Sequence, residues 1–135
     1  MIKILFLCTG NSCRSQMAEG LVNAKYENLK AWSAGTNPAS INPNAIEVMK
    51  ETGIDISNQT VNRPEDFENI NFDYIITLCD HARDNCPVTD LPGERIHWGL
   101  ADPACFKGSR EETLEQFRKT RNEIEKRINK SFQLF

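Results

Sequence analysis

Ile2-Lys-Ile-Leu-Phe-Leu-Cys8-Thr9-Gly10-Asn11-Ser12-Cys13-Arg14 is the stretch from which the rest of the chain is read. Ile2, Ile4, Leu5, Phe6 and Leu7 form an apolar run of strand length, ended by the turn-forming Thr9, Gly10, Asn11 and Ser12. From Ser15 to Glu27 the pattern is helical, with Met17, Ala18, Leu21 and Val22 on one face. Cys8 therefore stands where a strand stops and Arg14 where a helix starts. A loop wrapped over a helix N-terminus aims several backbone N–H groups at one point and adds the positive end of the helix dipole. Such a pocket takes a tetrahedral oxyanion, and the Arg14 guanidinium can grip two of its oxygens. The same field favours a thiolate, lowering a cysteine pKa from about 8.5 towards roughly 4–7. Anion cradle and activated nucleophile are thus one object. The plainer alternative is that Cys8 is a small buried hydrophobe at a strand end.

The 135 residues suffice for one compact domain, 1–135, with a real core. No apolar run reaches the length of a membrane helix and the N-terminus lacks a secretory pattern, so a cytoplasmic, membrane-free protein is expected. A net charge of −3 without a basic stripe argues against nucleic acid as partner. Five cysteines in a cytosolic setting point to thiol chemistry or metal binding rather than structural disulfides.

Downstream, Leu29–Gly35 reads as a second strand and Asn42-Pro43 as the cap and first position of a helix stopped by Gly53. Ile54–Ile56 reads as a short extended piece, followed by a polar segment with a helical turn from Pro64. Asp73–Leu78 is a strand ending at Cys79, and Arg95–Trp98 is another. Ala101–Cys105 reads as a loop, because a residue before proline avoids helix. Ser109 and Glu112 form a capping box for a last helix whose Leu114, Phe117, Arg121, Ile124, Ile128 and Phe132 share a stripe. Strands alternating with helices imply an α/β sandwich around a parallel sheet. In such sheets sites lie beyond the C-terminal strand ends, where Cys8 and Cys79 both fall.

Cys79 and Cys86 are seven apart; on a helix that spans about 10.5 Å, beyond the roughly 7 Å that a disulfide allows between Cα atoms. A bridge between them needs the polar segment to loop out, which suits a switch better than a structural staple. Two incidental cysteines, or a zinc site using His81 or His97, are the alternatives, although no usual zinc spacing is present.

The run Cys8-Thr-Gly-Asn-Ser-Cys-Arg-Ser-Gln-Met-Ala-Glu19, with Ile56–Thr60, Cys79…Cys86-Pro87, His97-Trp-Gly99 and Asp102-Pro103, resembles the low-molecular-weight protein tyrosine phosphatase fold family. It is most similar to the thioredoxin-coupled arsenate reductase branch. The resemblance implies a three-layer sandwich with a central four-stranded parallel sheet. It implies that Thr9, Gly10, Asn11, Ser12, Cys13, Arg14 and Ser15 bind arsenate, that Cys8 attacks it and that Asp102 donates a proton. It further implies a transient Cys8–Cys79 disulfide, then Cys79–Cys86, reduced by thioredoxin, with weak phosphatase activity on the side. No tightly bound cofactor is implied, but a potassium ion on Asn11, Glu19, Ser33 and Asp66 is. The size of the chain suggests a monomer. Taken alone, Asp102 is equally a turn former, Cys13 a packing residue and Cys105 a spare thiol. The rival readings are a phosphotyrosine phosphatase, disfavoured by Ala104-Cys105-Phe106 where phosphatases commonly place tyrosines, and a non-enzymatic thiol sensor of soft metals or oxyanions.

Overall fold

The computed structural model describes residues 1–79 and 91–132, so Cys86, His81 and the segment between Cys79 and Leu91 lie outside the described residues. Strand β1 (Ile2–Cys8) leads into helix α1 (Arg14–Lys25), then β2 (Leu29–Gly35) and α2 (Pro43–Lys50). A 3-10 turn (Pro64–Phe67), β3 (Tyr74–Thr77), β4 (Glu94–His97), a second 3-10 turn (Pro103–Cys105) and α3 (Arg110–Phe132) complete the order. The four strands form one parallel sheet in the order β2-β1-β3-β4, the α/β arrangement the alternating pattern implies.

Strand β1 is central because its apolar run is continuous: Ile4, Leu5, Phe6 and Leu7 are fully buried, as a parallel strand covered on both faces requires. The chain leaves β1 for β2 on one side and reaches β3 on the other, so the crevice at the end of β1 is a topological switch point. Cys8 is the residue at that point.

Helix α1 begins at Arg14, one residue earlier than the periodicity suggests, and buries Met17, Ala18, Leu21 and Val22. Asn42 caps α2 by accepting from Asn44 N–H at 2.8 Å, with Pro43 in the first turn. The Ser109–Glu112 capping box of α3 forms in both directions, at 2.9 and 3.1 Å. The α3 stripe buries Leu114, Phe117, Ile124, Ile128 and Phe132, while Arg121 at its edge donates to the Val48 carbonyl and pairs with Glu51. Arg118 binds Glu51, Glu111 and Glu115, fastening α3 to α2.

Ile54 and Ile56 are buried and plug the core beside α1, where Ile56 occupies the space a side chain at Gly20 would need. One expectation changes. Residues 101–105 include the second 3-10 turn, although Asp102, before Pro103, keeps the extended backbone expected of it.

The free edge of β2 is occupied by one side chain and by a passing main-chain carbonyl. Asn23 donates to the Ala31 carbonyl at 3.0 Å and accepts from the Ala31 N–H at 2.8 Å, while Gly35 N–H donates to the Asn62 carbonyl at 2.9 Å. Among the described residues, no helix is long and apolar enough to cross a membrane.

Candidate active site

Six consecutive carbonyls after β1 point away from the loop's centre. Those of Cys8, Thr9, Gly10 and Ser12 accept from Thr36, Asn37, Ala39 and Asn42 N–H at 3.2, 2.8, 2.8 and 2.8 Å. The Asn11 carbonyl accepts from the buried Gln16 carboxamide at 3.0 Å and that of Cys13 from Met17 N–H at 2.9 Å. In a peptide plane the N–H opposes the C=O, so the amides of residues 9–14 turn to the concave side, the geometry of an anion nest. Asn11 adopts the left-handed conformation (φ 48°) that closes the turn, and its N–H lies 3.2 Å from Cys8 Sγ. Helix α1 carries no side-chain cap at Cys13, which leaves its first-turn N–H groups for a ligand.

Cys8, 1% exposed, has Ser15 Oγ at 2.9 Å. Ser15 in turn accepts from Asn11 Nδ2 at 2.8 Å, so its hydroxyl proton is free to point at sulfur. The floor of the loop is Gly35: a Cβ there would lie 2.6 Å from the Thr9 carbonyl oxygen and 2.7 Å from Asn11 N. Both obstacles are backbone. Gly35→Ala is therefore expected to weaken inorganic phosphate binding at least about tenfold and to cost about 1–3 kcal/mol of stability, read by calorimetry and thermal unfolding; an unchanged affinity would show that the loop tolerates the push.

Arg14 opens α1 and is 5% exposed. Its Nη1 donates to the Leu100 carbonyl at 2.8 Å and its Nη2 stands 3.6 Å from Asp102 Oδ2. Its Nε is buried without a partner, a donor in want of an oxygen at the mouth of the nest. An oxyanion seated on the amides supplies one. Asp102 forms the turn that its place before a proline suggests: Oδ1 accepts from Ala104 N–H at 3.0 Å, capping the 3-10 turn, while Oδ2 faces Arg14.

Cys79 is brought to the rim. Because β3 pairs with β1 in parallel, with Leu7 opposite Thr77, the chain beyond β3 runs past Thr9, and Cys79 Sγ lies 3.1 Å from Thr9 Oγ1. Cys86 lies outside the described residues, and with it the pairing and zinc readings that need it.

Cys13 is buried and its Sγ lies 3.5 Å from Asp102 Oδ1. Burial first, then the Asp102 carboxylate, push its thiol pKa up to about 12. A raised thiol pKa means the proton stays on at any lower pH; at pH 8 the thiolate fraction is on the order of 10⁻⁴. Iodoacetamide at pH 8 is thus expected to label the exposed Cys105 and leave Cys13 unmodified until the protein unfolds, as mass spectrometry of the peptides will register.

Around the second candidate site, Ser33 Oγ donates to Glu19 Oε1 at 2.6 Å. Asn62 N–H donates to Asn11 Oδ1 at 2.8 Å, and Asp66 Oδ2 accepts from Arg63 N–H at 2.9 Å. Burial pushes the Glu19 carboxyl pKa up, with the Ser33 bond opposing it. The structure also supplies contacts the sequence reading missed: the Leu100 carbonyl on Arg14, Gln16 on Asn11, and Gly35 under the loop. Only Gly35 left a signal, a glycine ending a strand.

The sequence profile of the low molecular weight phosphotyrosine protein phosphatase family matches residues 3–134. An arsenate reductase of Halalkalibacterium halodurans is 50% identical over 127 residues, 93% of this chain and 91% of that protein. A solved structure described as an arsenate reductase in the phosphate-binding state superposes with a TM-score of 0.80 at 34% identity, covering 96% of this chain and 95% of that one. The thioredoxin-dependent arsenate reductase of Corynebacterium glutamicum superposes with a TM-score of 0.66 at 29% identity, covering 97% of this chain and 63% of that one.

Proposed function

The chain belongs to the low-molecular-weight phosphotyrosine protein phosphatase family, and we propose that within it the protein reduces arsenate to arsenite, using three cysteines in sequence and thioredoxin as reductant. The observation that carries the reading is Cys79 Sγ, 3.1 Å from Thr9 Oγ1 on the rim of the anion loop. Phosphate-ester hydrolysis has no use for a second thiol there; reduction of an enzyme-bound adduct does.

Arsenate docks on the amides of 9–14, with Arg14 Nε taking one oxygen. The Cys8 thiolate attacks arsenic, and Asp102 protonates the departing oxygen, which leaves as water. Cys79 thiolate then attacks Cys8 Sγ. The sulfur–arsenic bond breaks, its electron pair stays on arsenic, and arsenite departs as the Cys8–Cys79 disulfide forms. Cys86 attacks Cys79, restoring the Cys8 thiol and leaving Cys79–Cys86 for thioredoxin to reduce by thiol–disulfide exchange. Phosphorus is not reduced by thiols, so an aryl phosphate stops at hydrolysis, a weak side activity. The protein acts in the cytoplasm as a monomer in this reading.

A potassium ion belongs to the same proposal. Asn11, Glu19, Ser33 and Asp66 would hold it: they are all oxygen donors, as a hard cation prefers, and the half-buried Glu19 carboxylate lacks a cationic partner among the described residues. The ion supplies charge compensation behind the loop. Potassium is then expected to raise the melting temperature of the wild type and not of Glu19→Gln.

The deciding experiment follows NADPH oxidation with arsenate, thioredoxin and thioredoxin reductase. Turnover that needs thioredoxin and is lost in Cys86→Ser establishes the relay. Absence of turnover, with aryl phosphate hydrolysis that survives loss of Cys79 and Cys86, makes the protein a phosphatase instead.

A further inference from the structure

His97 takes no part in the chemistry above, yet it ends β4 directly opposite Thr77, the last residue of β3. Its Nδ1 lies 2.7 Å from Thr77 Oγ1. Beyond it the chain continues along β3, with Trp98 N–H on the Thr77 carbonyl at 2.9 Å and Leu100 N–H on the Leu78 carbonyl at 2.8 Å. Trp98, 7% exposed, is held in the core with its ring centroid 6.0 Å from that of Phe6. Between these two anchors Gly99 takes a left-handed conformation, φ 48°. The His97 ring is packed over it: Nε2 lies 3.1 Å from where a Cβ would stand. The next carbonyl, that of Leu100, is the acceptor for Arg14 Nη1, and Asp102 follows two residues later.

We propose that His97 is a positioning residue for the oxyanion site: by bonding Thr77 and packing on Gly99 it sets the course of residues 98–102, and so the aim of the Arg14 guanidinium. The inference rests on the reading of Arg14 as the oxyanion grip. The geometry narrows what can serve. One ring edge must reach a hydroxyl on the neighbouring strand while the opposite edge fills the space over a glycine, and a planar five-membered ring does both. Without it the 99–100 peptide is held, among the described residues, by the Trp98 and Leu100 ladder bonds and by Arg14 itself. The Leu100 carbonyl then loses its fixed direction. A guanidinium buried to 5% exposure has, among the described residues, the Leu100 carbonyl and a carboxylate at 3.6 Å as its partners, so a drifting carbonyl lets it turn towards Asp102 and away from the nest.

The test uses the full chain and inorganic phosphate as probe, with His97→Ala, Thr77→Val, their double variant and His97→Asn. Calorimetry gives phosphate affinity, an aryl phosphate gives kcat and KM separately, and thermal unfolding reports stability. His97→Ala and Thr77→Val are each expected to weaken phosphate about tenfold, the loss of one well-made hydrogen bond at a charged site. KM should rise more than kcat falls. The double variant should be no worse than either single, because both remove the same bond. His97→Asn, whose side-chain amide reaches Thr77 but leaves the space over Gly99 open, should bind phosphate about threefold better than His97→Ala and still less tightly than wild type. Thr77→Val keeps shape and volume, so it reads the bond even where His97→Ala unfolds. Affinities within about twofold of wild type in both singles, or losses that add in the double variant, overturn the proposal. A wild type that binds phosphate but does not reduce arsenate sinks the functional reading and leaves this one standing. No phosphate binding at all sinks both.

Discussion

Cys8→Ser yields a folded protein that neither reduces arsenate nor hydrolyses aryl phosphates, with both rates lower by about 10⁴-fold or more. The fold survives because the exchange is nearly isosteric in a site 1% exposed, and a hydroxyl can still meet Ser15 Oγ and Asn11 N–H. The chemistry does not, because every donor aimed at Cys8 stabilises a sulfur anion, and a serine hydroxyl stays protonated at neutral pH. Ser15 cannot replace the missing base, since its own oxygen is engaged by Asn11 Nδ2. Phosphate affinity in the same variant should stay within about threefold of wild type, because the binding amides and Arg14 are untouched. Steady-state rates alongside phosphate calorimetry separate the two effects. Residual turnover above about 1% would move the nucleophile elsewhere.

Arg14→Lys is expected to cost about 10²–10³ in kcat/KM for arsenate. The charge survives, but the planar fork does not. The native guanidinium divides its labour: Nη1 is committed to the Leu100 carbonyl at 2.8 Å, Nη2 faces Asp102, and Nε, buried and unpartnered, is left for the oxyanion. A lysine ammonium has one nitrogen to serve three directions. It also leaves the Leu100 carbonyl and the Asp102 carboxylate without their shared partner, so loss should appear in phosphate affinity as well as in kcat. An affinity equal to wild type would mean that the backbone amides alone hold the anion.

Much of this was readable before any coordinates. The apolar run of β1, the turn residues after it and the helix that follows are local signals, and they place Cys8 and Arg14 correctly because the nest is built from consecutive residues. The caps at Asn42 and Ser109 are equally local. What the sequence does not carry is which distant carbonyl turns towards which donor. The Leu100 carbonyl on Arg14 depends on strand order and register, and carbonyls leave no mark in composition; the strand-end position of Cys79 places it near the loop, but does not give its contact with Thr9. Ile54-Asp-Ile56 marks the same limit: its alternation shows two residues that want burial, but not that Ile56 fills the space beside Gly20 of α1. His97 stood in a motif with no role attached, because its meaning lies in Thr77, twenty residues away.

The Asn23 carboxamide bonded to both main-chain groups of Ala31 has a consequence for the protein's life in a crowded solution. A parallel sheet's exposed edge is a template on which a foreign strand can register and from which fibrils can grow. Here the Asn23 side chain plays the part of the next strand at Ala31, and the Asn62 main-chain carbonyl takes the Gly35 N–H, so an approaching chain meets ladder groups already engaged on that side. Protection of this edge is thus built from one asparagine side chain and one crossing stretch of main chain.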